Sequence, residues 1–146
     1  MNGYIHTVQY YETDKMGITH HSNYIRWMEE ARVAFLSKIG FPYDKLEEMG
    51  IVSPVLSISC EYRKPTTFSD QISIVVSVKE YKGVKLHLEY EMRNSERNIV
   101  CFGTSAHAFL TEKGRPVRMK QDYPELHQML AELAEKGSQV VLDNFK

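Results

Sequence analysis

The sequence predicts an α+β domain: a five-stranded antiparallel sheet wrapped around one long central helix, with a short helix at the C-terminus. Three observations predict it. The hydrophobic period switches from helical to alternating after the first helix, and the alternating runs are joined by segments short enough for hairpins. The early helix is also apolar on more than one side, which suits an element enclosed by protein. Helical and strand runs are segregated rather than interleaved, as in the α+β class.

The first strand is expected over Gly3 to Tyr11, followed by a loop. From Ser22 to Ile39, the positions Tyr24, Trp27, Met28, Ala31 and Phe35 recur at helical spacing. Ser22 is placed to cap this helix, and Gly40 followed by Pro42 is a natural stop. The opposite side carries Glu29, Glu30 and Arg32, but also Ile25, Val33 and Leu36.

Four runs of period two follow. From Val52 to Tyr62 the even set is Val52, Pro54, Leu56, Ile58, Cys60 and Tyr62, and from Gln71 to Glu80 it is Ile72, Ile74, Val76 and Val78. Val84 to Arg93 alternates most cleanly, with Leu86, Leu88, Tyr90 and Met92 set against Lys85, His87, Glu89 and Glu91. The fourth run, Ile99 to Leu110, is longer and less polarised. Tyr81-Lys82-Gly83 and the stretch Asn94 to Asn98 serve as hairpin connections, and Glu112 to Pro116 as a turn or loop.

Leu126, Met129, Leu130 and Leu133 give the terminal amphipathic helix, capped by Asp122 and stopped near Gly137. The domain is thus expected over residues 1–137. Residues 138–146 read as a loose tail on which Val140, Val141, Leu142 and Phe145 are available to dock. Ile99, Cys101 and Phe109 fall on the odd face of the fourth run. A partly apolar outer face and a free sheet edge point to a homodimer or homotetramer.

Bulk properties narrow the function. A chain of 146 residues is one domain by length and large enough to bury a real core. A formal net charge of −1 supplies no bulk basic field for nucleic acid or an anionic membrane. No stretch is apolar and long enough for a membrane span, and the first residues lack a signal-peptide pattern. Two cysteines, Cys60 and Cys101, are too few for a disulfide framework and read as reduced thiols of a cytoplasmic protein.

Chemistry concentrates in the stretch from Tyr10 to Tyr24, between the first strand and the helix, which holds Glu12, Asp14, His20, His21, Ser22 and Asn23. It opens onto a helix N-terminus, whose unpaired N–H groups and partial positive charge suit a developing oxyanion. A carboxylate beside such donors is what acyl transfer needs.

The pattern Asp14-x-x-Gly17-Ile18-x-x-His21-x-Asn23-Tyr24, followed by Arg26-Trp27-Met28-Glu29-Glu30-Ala31-Arg32, resembles the 4-hydroxybenzoyl-CoA thioesterase family of hotdog proteins, especially its bacterial acyl-CoA thioesterase branch. The likeness continues through Tyr62-Arg63-Lys64-Pro65-Thr66-Thr67-Phe68-Ser69-Asp70 and the four-strand layout, so it covers nearly the whole chain. The resemblance implies a hotdog fold and hydrolysis of an acyl-CoA thioester without metal or other cofactor. It makes Asp14 the catalytic carboxylate, maps the motif Gly to Gly17, the His to His21 and the Asn-Tyr pair to Asn23 and Tyr24, and puts the oxyanion donor at the His21 backbone N–H. Many members carry an aromatic residue where this chain has His20.

Asp14 would attack the thioester carbonyl directly or deprotonate a water that does. Trp27 and Met28 are candidates for core and acyl-pocket lining. Arg63, Lys64, Lys79, Lys82 and Lys85 are candidates to meet the phosphates of CoA, against the plainer reading of a solvated face.

Plainer readings stand beside the sharp ones. His21 is structural or orienting first and catalytic second, and Gly17 most simply supplies a turn. His20 and His21 lack acidic or thiol partners at metal-ligand spacing. Gly103-Thr104-Ser105-Ala106-His107 lacks the second Gly of a nucleophile elbow and lies within a strand run. Two rival functions remain. One is a hotdog 3-hydroxyacyl dehydratase, which needs a His with an acidic partner; the other is a non-catalytic acyl-CoA-binding module.

Overall fold

The computed structural model describes residues 3–136. Gly137 and the expected tail at 138–146, with Val140, Val141, Leu142 and Phe145, lie outside the described residues, as do Met1 and Asn2. In chain order the elements are β1 (Tyr4–Thr7), a 3-10 turn (Tyr10–Glu12), α1 (Ser22–Lys38), α2 (Tyr43–Glu48), β2 (Val55–Tyr62), β3 (Gln71–Tyr81), β4 (Lys85–Arg93), β5 (Ile99–Ala108), α3 (Met119–Asp122) and α4 (Pro124–Lys136). The five strands form one sheet in the order β1-β3-β4-β5-β2, with every neighbouring pair antiparallel.

The register defines the inner face. Tyr4, Ile74, Met92, Cys101 and Tyr62 form one row across the strands, and Val76, Tyr90, Gly103 and Cys60 form the next. Trp27, Met28, Ala31 and Phe35 of α1 are buried in the same core as Ile74, Val76 and Tyr90. A Cβ on Gly103 would sit 3.0 Å from the Met28 Sδ and Cε, so this glycine lets the helix settle close onto β5. Leu126, Leu130 and Leu133 of α4 add to that core, which unites the described residues in a single hydrophobic cluster. Among the described residues no helix is long and apolar enough to cross a membrane.

Several local expectations change. The first strand ends at Thr7, because the Val8 N–H turns to the Asp70 carbonyl and the chain then coils at Tyr10. Ser22 is the first helical residue rather than the cap. Its N–H donates to the His20 ring Nδ1 at 3.2 Å, and its hydroxyl lies 2.8 Å from the same nitrogen. A histidine ring therefore takes the orphan donor that a serine was expected to satisfy. Asp122 ends α3 and faces Arg118 at 3.5 Å, while α4 starts two residues later at Pro124. Helix α2 was not anticipated; its six residues bury only Leu46, too little to reveal a period.

The faces of the fourth run are reversed from expectation. Leu88 lies opposite Ser105 and Met92 opposite Cys101, so the odd residues of β5 face α1 with the even residues of β4. The outer face instead carries rows such as Val75, Glu91, Phe102 and Glu61, mostly half-buried or exposed. A bulge breaks β2 between Val55 and Ser57, and Leu56 there is 50% exposed. The whole of β2 is an edge strand, half-buried at best.

Candidate active site

One end of the sheet gathers the chemistry. Strand β1 runs to Thr7 opposite Gln71, the start of β3, and β2 ends at Tyr62 opposite Cys101 near the start of β5. The segment before α1 and the loop after β2 therefore meet. Ile18 bridges to Thr67, and the Thr19 N–H donates to the Thr66 carbonyl at 2.9 Å. The Thr66 hydroxyl lies 2.6 Å from that of Thr19 and 3.0 Å from the Tyr24 phenol, which ties this loop to α1.

Asp14 opens a tight reversal closed by a Thr13–Thr19 bridge and by the Asp14 N–H on the Ile18 carbonyl at 2.8 Å. Gly17, with φ +78°, supplies the left-handed conformation the turn requires, so its place is backbone geometry. The Asp14 side chain is exposed. Its Oδ1 accepts the N–H groups of Met16 at 2.8 Å and Ile18 at 3.2 Å. Oδ2 makes no hydrogen bond or ion pair to a described residue, leaving one carboxylate oxygen anchored and the other open.

Beside this turn lies an open cavity of about 590 Å³, lined by Ile18, Thr19, His21, Tyr24, Tyr62, Arg63, Lys64 and Pro65. Its walls are aromatic, with Tyr62 edge-on to Tyr24 at 5.1 Å and to His21 at 6.1 Å, and His21 stacked on His20 at 4.3 Å. Burial, then the neighbouring Cys60 sulfur, pushes the Tyr62 phenol up to about 12. It stays protonated at neutral pH and donates to the His21 carbonyl at 3.3 Å.

The main-chain N–H groups of this segment can be followed one by one. From Glu12 to Tyr24 each donates to a described partner except those of Lys15 and His21. Thr19 and His20 donate to the carbonyls of Thr66 and Glu12, and Ser22 to the His20 ring. His21 lines the cavity at the start of α1, and its N–H has no hydrogen-bond partner among the described residues.

Of the residues singled out from sequence, the structure thus brings His21, Tyr24, Arg63 and Lys64 to the cavity, with the Asp14 turn at the same end of the sheet. Five others do not line this cavity. Asn23 is a buried strut whose Nδ2 donates to the Glu12 carbonyl at 3.0 Å and the His20 carbonyl at 3.2 Å. Trp27 and Met28 are fully buried in the core, as expected, with Trp27 packed behind the wall residue Tyr24 at 4.6 Å between ring centroids. Lys82 in the β3–β4 turn and Lys85 at the start of β4 sit at the far end of the sheet from Arg63 and Lys64. The length of β4 separates the two groups by roughly 25 Å, so they cannot share one phosphate within a chain. Lys82 instead lies 3.8 Å from Glu80.

Glu12 is the residue that sequence reasoning left without a role. It is 4% exposed, and its carboxylate accepts Gln9 N–H at 2.8 Å, His6 Nε2 at 2.9 Å and Trp27 Nε1 at 2.8 Å. Burial alone would raise its pKa, but these donors outweigh it and hold the carboxyl below its ordinary range. The available signal was an acid two residues before Asp14 with an indole a few turns on, which no spacing rule marks.

Two other constellations are buried. Ser105 Oγ lies 2.6 Å from His107 Nε2 and 2.7 Å from the Tyr90 phenol, so the strand motif does form a Ser–His contact. All three side chains are buried on the inner face beneath α1. The His6–Glu12 pair, of the kind a dehydratase would need, is likewise buried.

The family described as thioesterase-like superfamily matches residues 8–135. A putative acyl-CoA thioesterase of Bacillus subtilis, YneP, is 32% identical over 121 residues, 82% of this chain and 88% of that protein. Among solved structures, a DHNA-CoA thioesterase from Staphylococcus aureus superposes with a TM-score of 0.85 at 28% identity, covering 90% of this chain and 89% of that one. The gentisyl-coenzyme A thioesterase BH1999 does so with a TM-score of 0.77 at 26% identity, covering 88% and 98%.

Proposed function

The chain belongs to the thioesterase-like superfamily of hotdog proteins and is a thioester hydrolase, and from that premise we propose that it cleaves an acyl-CoA using Asp14 and the His21 amide. The observation that carries this reading is that His21 lines the cavity with its N–H unpartnered among the described residues, while the amides of His20 and Ser22 beside it are engaged. A thioester carbonyl set in the cavity would present its oxygen to that donor. The addition step then builds negative charge where a fixed dipole already waits.

Asp14 supplies the other half. Its anchored Oδ1 fixes the carboxylate, while Oδ2 is available to attack the carbonyl carbon or to take a proton from an attacking water. Attack by the carboxylate forms a mixed anhydride and releases CoA thiolate, and water then cleaves the anhydride. In the general-base route the water adds directly and the thiolate leaves from the tetrahedral intermediate. A thiolate is a good leaving group, so neither route demands a strong acid.

Arg63 and Lys64 at the cavity rim are suited to the phosphates of CoA. The aromatic walls offer flat apolar surface to the acyl portion. The exposed Asp14 turn and the open cavity also favour an oligomer in which a second copy closes the site.

The direct test is Asp14→Asn, assayed by thiol release from acyl-CoA. Loss of a nucleophile or general base is expected to lower turnover by at least ~10²-fold while the protein stays folded. Wild-type turnover would reject the assignment. Ligand affinity without turnover in the wild type would favour a binding module, and enoyl formation a dehydratase.

A further inference from the structure

We infer that Glu12 is a positioning residue: its buried carboxylate, together with His6, fixes the Asp14 turn against the first two turns of α1. The inference rests on the reading of Asp14 as the reacting carboxylate and deepens it.

Glu12 joins five places in the chain. Through its carboxylate it holds Gln9 where the segment begins, His6 on β1 and Trp27 on the second turn of α1. Through its carbonyl it holds the His20 N–H at 2.9 Å and the Asn23 amide at 3.0 Å, where the segment ends and α1 starts. His6 extends the link, since its Nδ1 lies 3.0 Å from Glu30 Oε1, which also accepts the Tyr4 hydroxyl at 2.7 Å.

Asp14 itself has no such reach. Its described side-chain hydrogen bonds go only to Met16 and Ile18 in its own turn. Its position relative to the His21 amide is therefore set by the backbone on either side. On one side that backbone is pinned at Glu12; on the other the neutral Thr19–Thr66–Tyr24 chain holds it.

A buried carboxylate is a costly way to hold a loop for stability alone, because apolar side chains of similar volume are often as good or better. What the charge adds is geometry: three short charge-assisted bonds from three separate elements converge on one group. Acyl transfer is sensitive to this, since a misplacement of about 1 Å costs on the order of 10²-fold.

The experiment compares Glu12→Gln, Asp14→Asn and the double variant by steady-state thiol release, with thermal melting of each. A positioning role predicts that Glu12→Gln lowers kcat by ~10-fold or more with KM changed less than about two-fold. In the Asp14→Asn background the same change should cost less than about two-fold, because the group it positions is gone. Wild-type kcat in Glu12→Gln, with Asp14→Asn inactive, overturns the positioning role and leaves the Asp14 reading standing. Equal losses in both backgrounds also overturn it, since the effect would not pass through Asp14. Full turnover in Asp14→Asn fails the underlying reading and the inference with it. Should Glu12→Gln not fold, Trp27→Phe keeps the ring packing and removes one donor to Glu12. A kcat loss of at least about three-fold at constant KM is then expected, and wild-type kcat overturns the inference.

Discussion

His107 sits on the inner face of β5, 1% exposed, with Nε2 on the Ser105 hydroxyl and Nδ1 without a partner among the described residues. Burial first, and then the nearby charges of Arg32 and His87, push its pKa down to about 4. The folded state thus refuses a proton that the unfolded chain accepts below its ordinary value near 6.5. Unfolded chains bind more protons between these two values, so stability rises with pH across that window. The contribution is complete above pH ~6.5 and is lost as pH falls toward about 4, with a total on the order of 3 kcal/mol. Urea unfolding followed from pH 7 to pH 4 is expected to show this loss in the wild type. His107→Leu, which leaves the Ser105–Tyr90 contact in place, should lose less stability over the same range. Identical pH slopes in the two proteins would contradict the assignment.

At the scale of elements, the antiparallel register decides which cations share a site. Arg63 and Lys64 follow the last residue of β2, whereas Lys82 lies in the β3–β4 turn and Lys85 starts β4, at the opposite end of the sheet. Replacing both Arg63 and Lys64 by Ala is expected to raise KM for acyl-CoA about ten-fold, as two exposed charge contacts of about 0.7 kcal/mol each would. The same variant should treat the corresponding acyl-pantetheine, which lacks the nucleotide, like wild type. The Lys82→Ala, Lys85→Ala double variant should change KM for acyl-CoA by less than about two-fold, its side chains being solvated. A reversed outcome in a KM comparison of the two pairs would move the phosphate contact to the other end of the sheet.

For the whole molecule, the two sheet edges are unequal. Strand β1 is four residues long, while β2 presents eight with Val55, Leu56 and Tyr62 about half exposed. Near the Asp14 turn, Tyr10, Tyr11, Met16 and Phe68 are exposed as well, and Tyr10 meets Phe68 edge-on at 5.8 Å. A long apolar edge left open is a template for pairing with another chain. The expected outcome in multi-angle light scattering across micromolar concentrations is therefore a dimer or tetramer. A mass that stays monomeric would leave the Asp14 turn uncovered and count against an enclosed site.

Legibility from sequence followed the range of the forces involved. Periodicity and turn residues are local, so the long helix, the five strands and the Asp14–Tyr24 motif could be read directly, with the first strand drawn too long, and the motif's likeness to a known family named the chemistry. The six-residue α2 carried too few apolar positions to announce itself, and the faces of β5 depended on which β4 residue each position opposed. Burial of Glu12 against Trp27, the capping of α1 by a His20 ring, and the separation of Lys82 from Arg63 are likewise decided by tertiary structure. Each depends on contacts between residues distant in sequence or on the turn of a backbone. A pattern of residue types along the chain does not encode such pairings until the sheet closes over the helix.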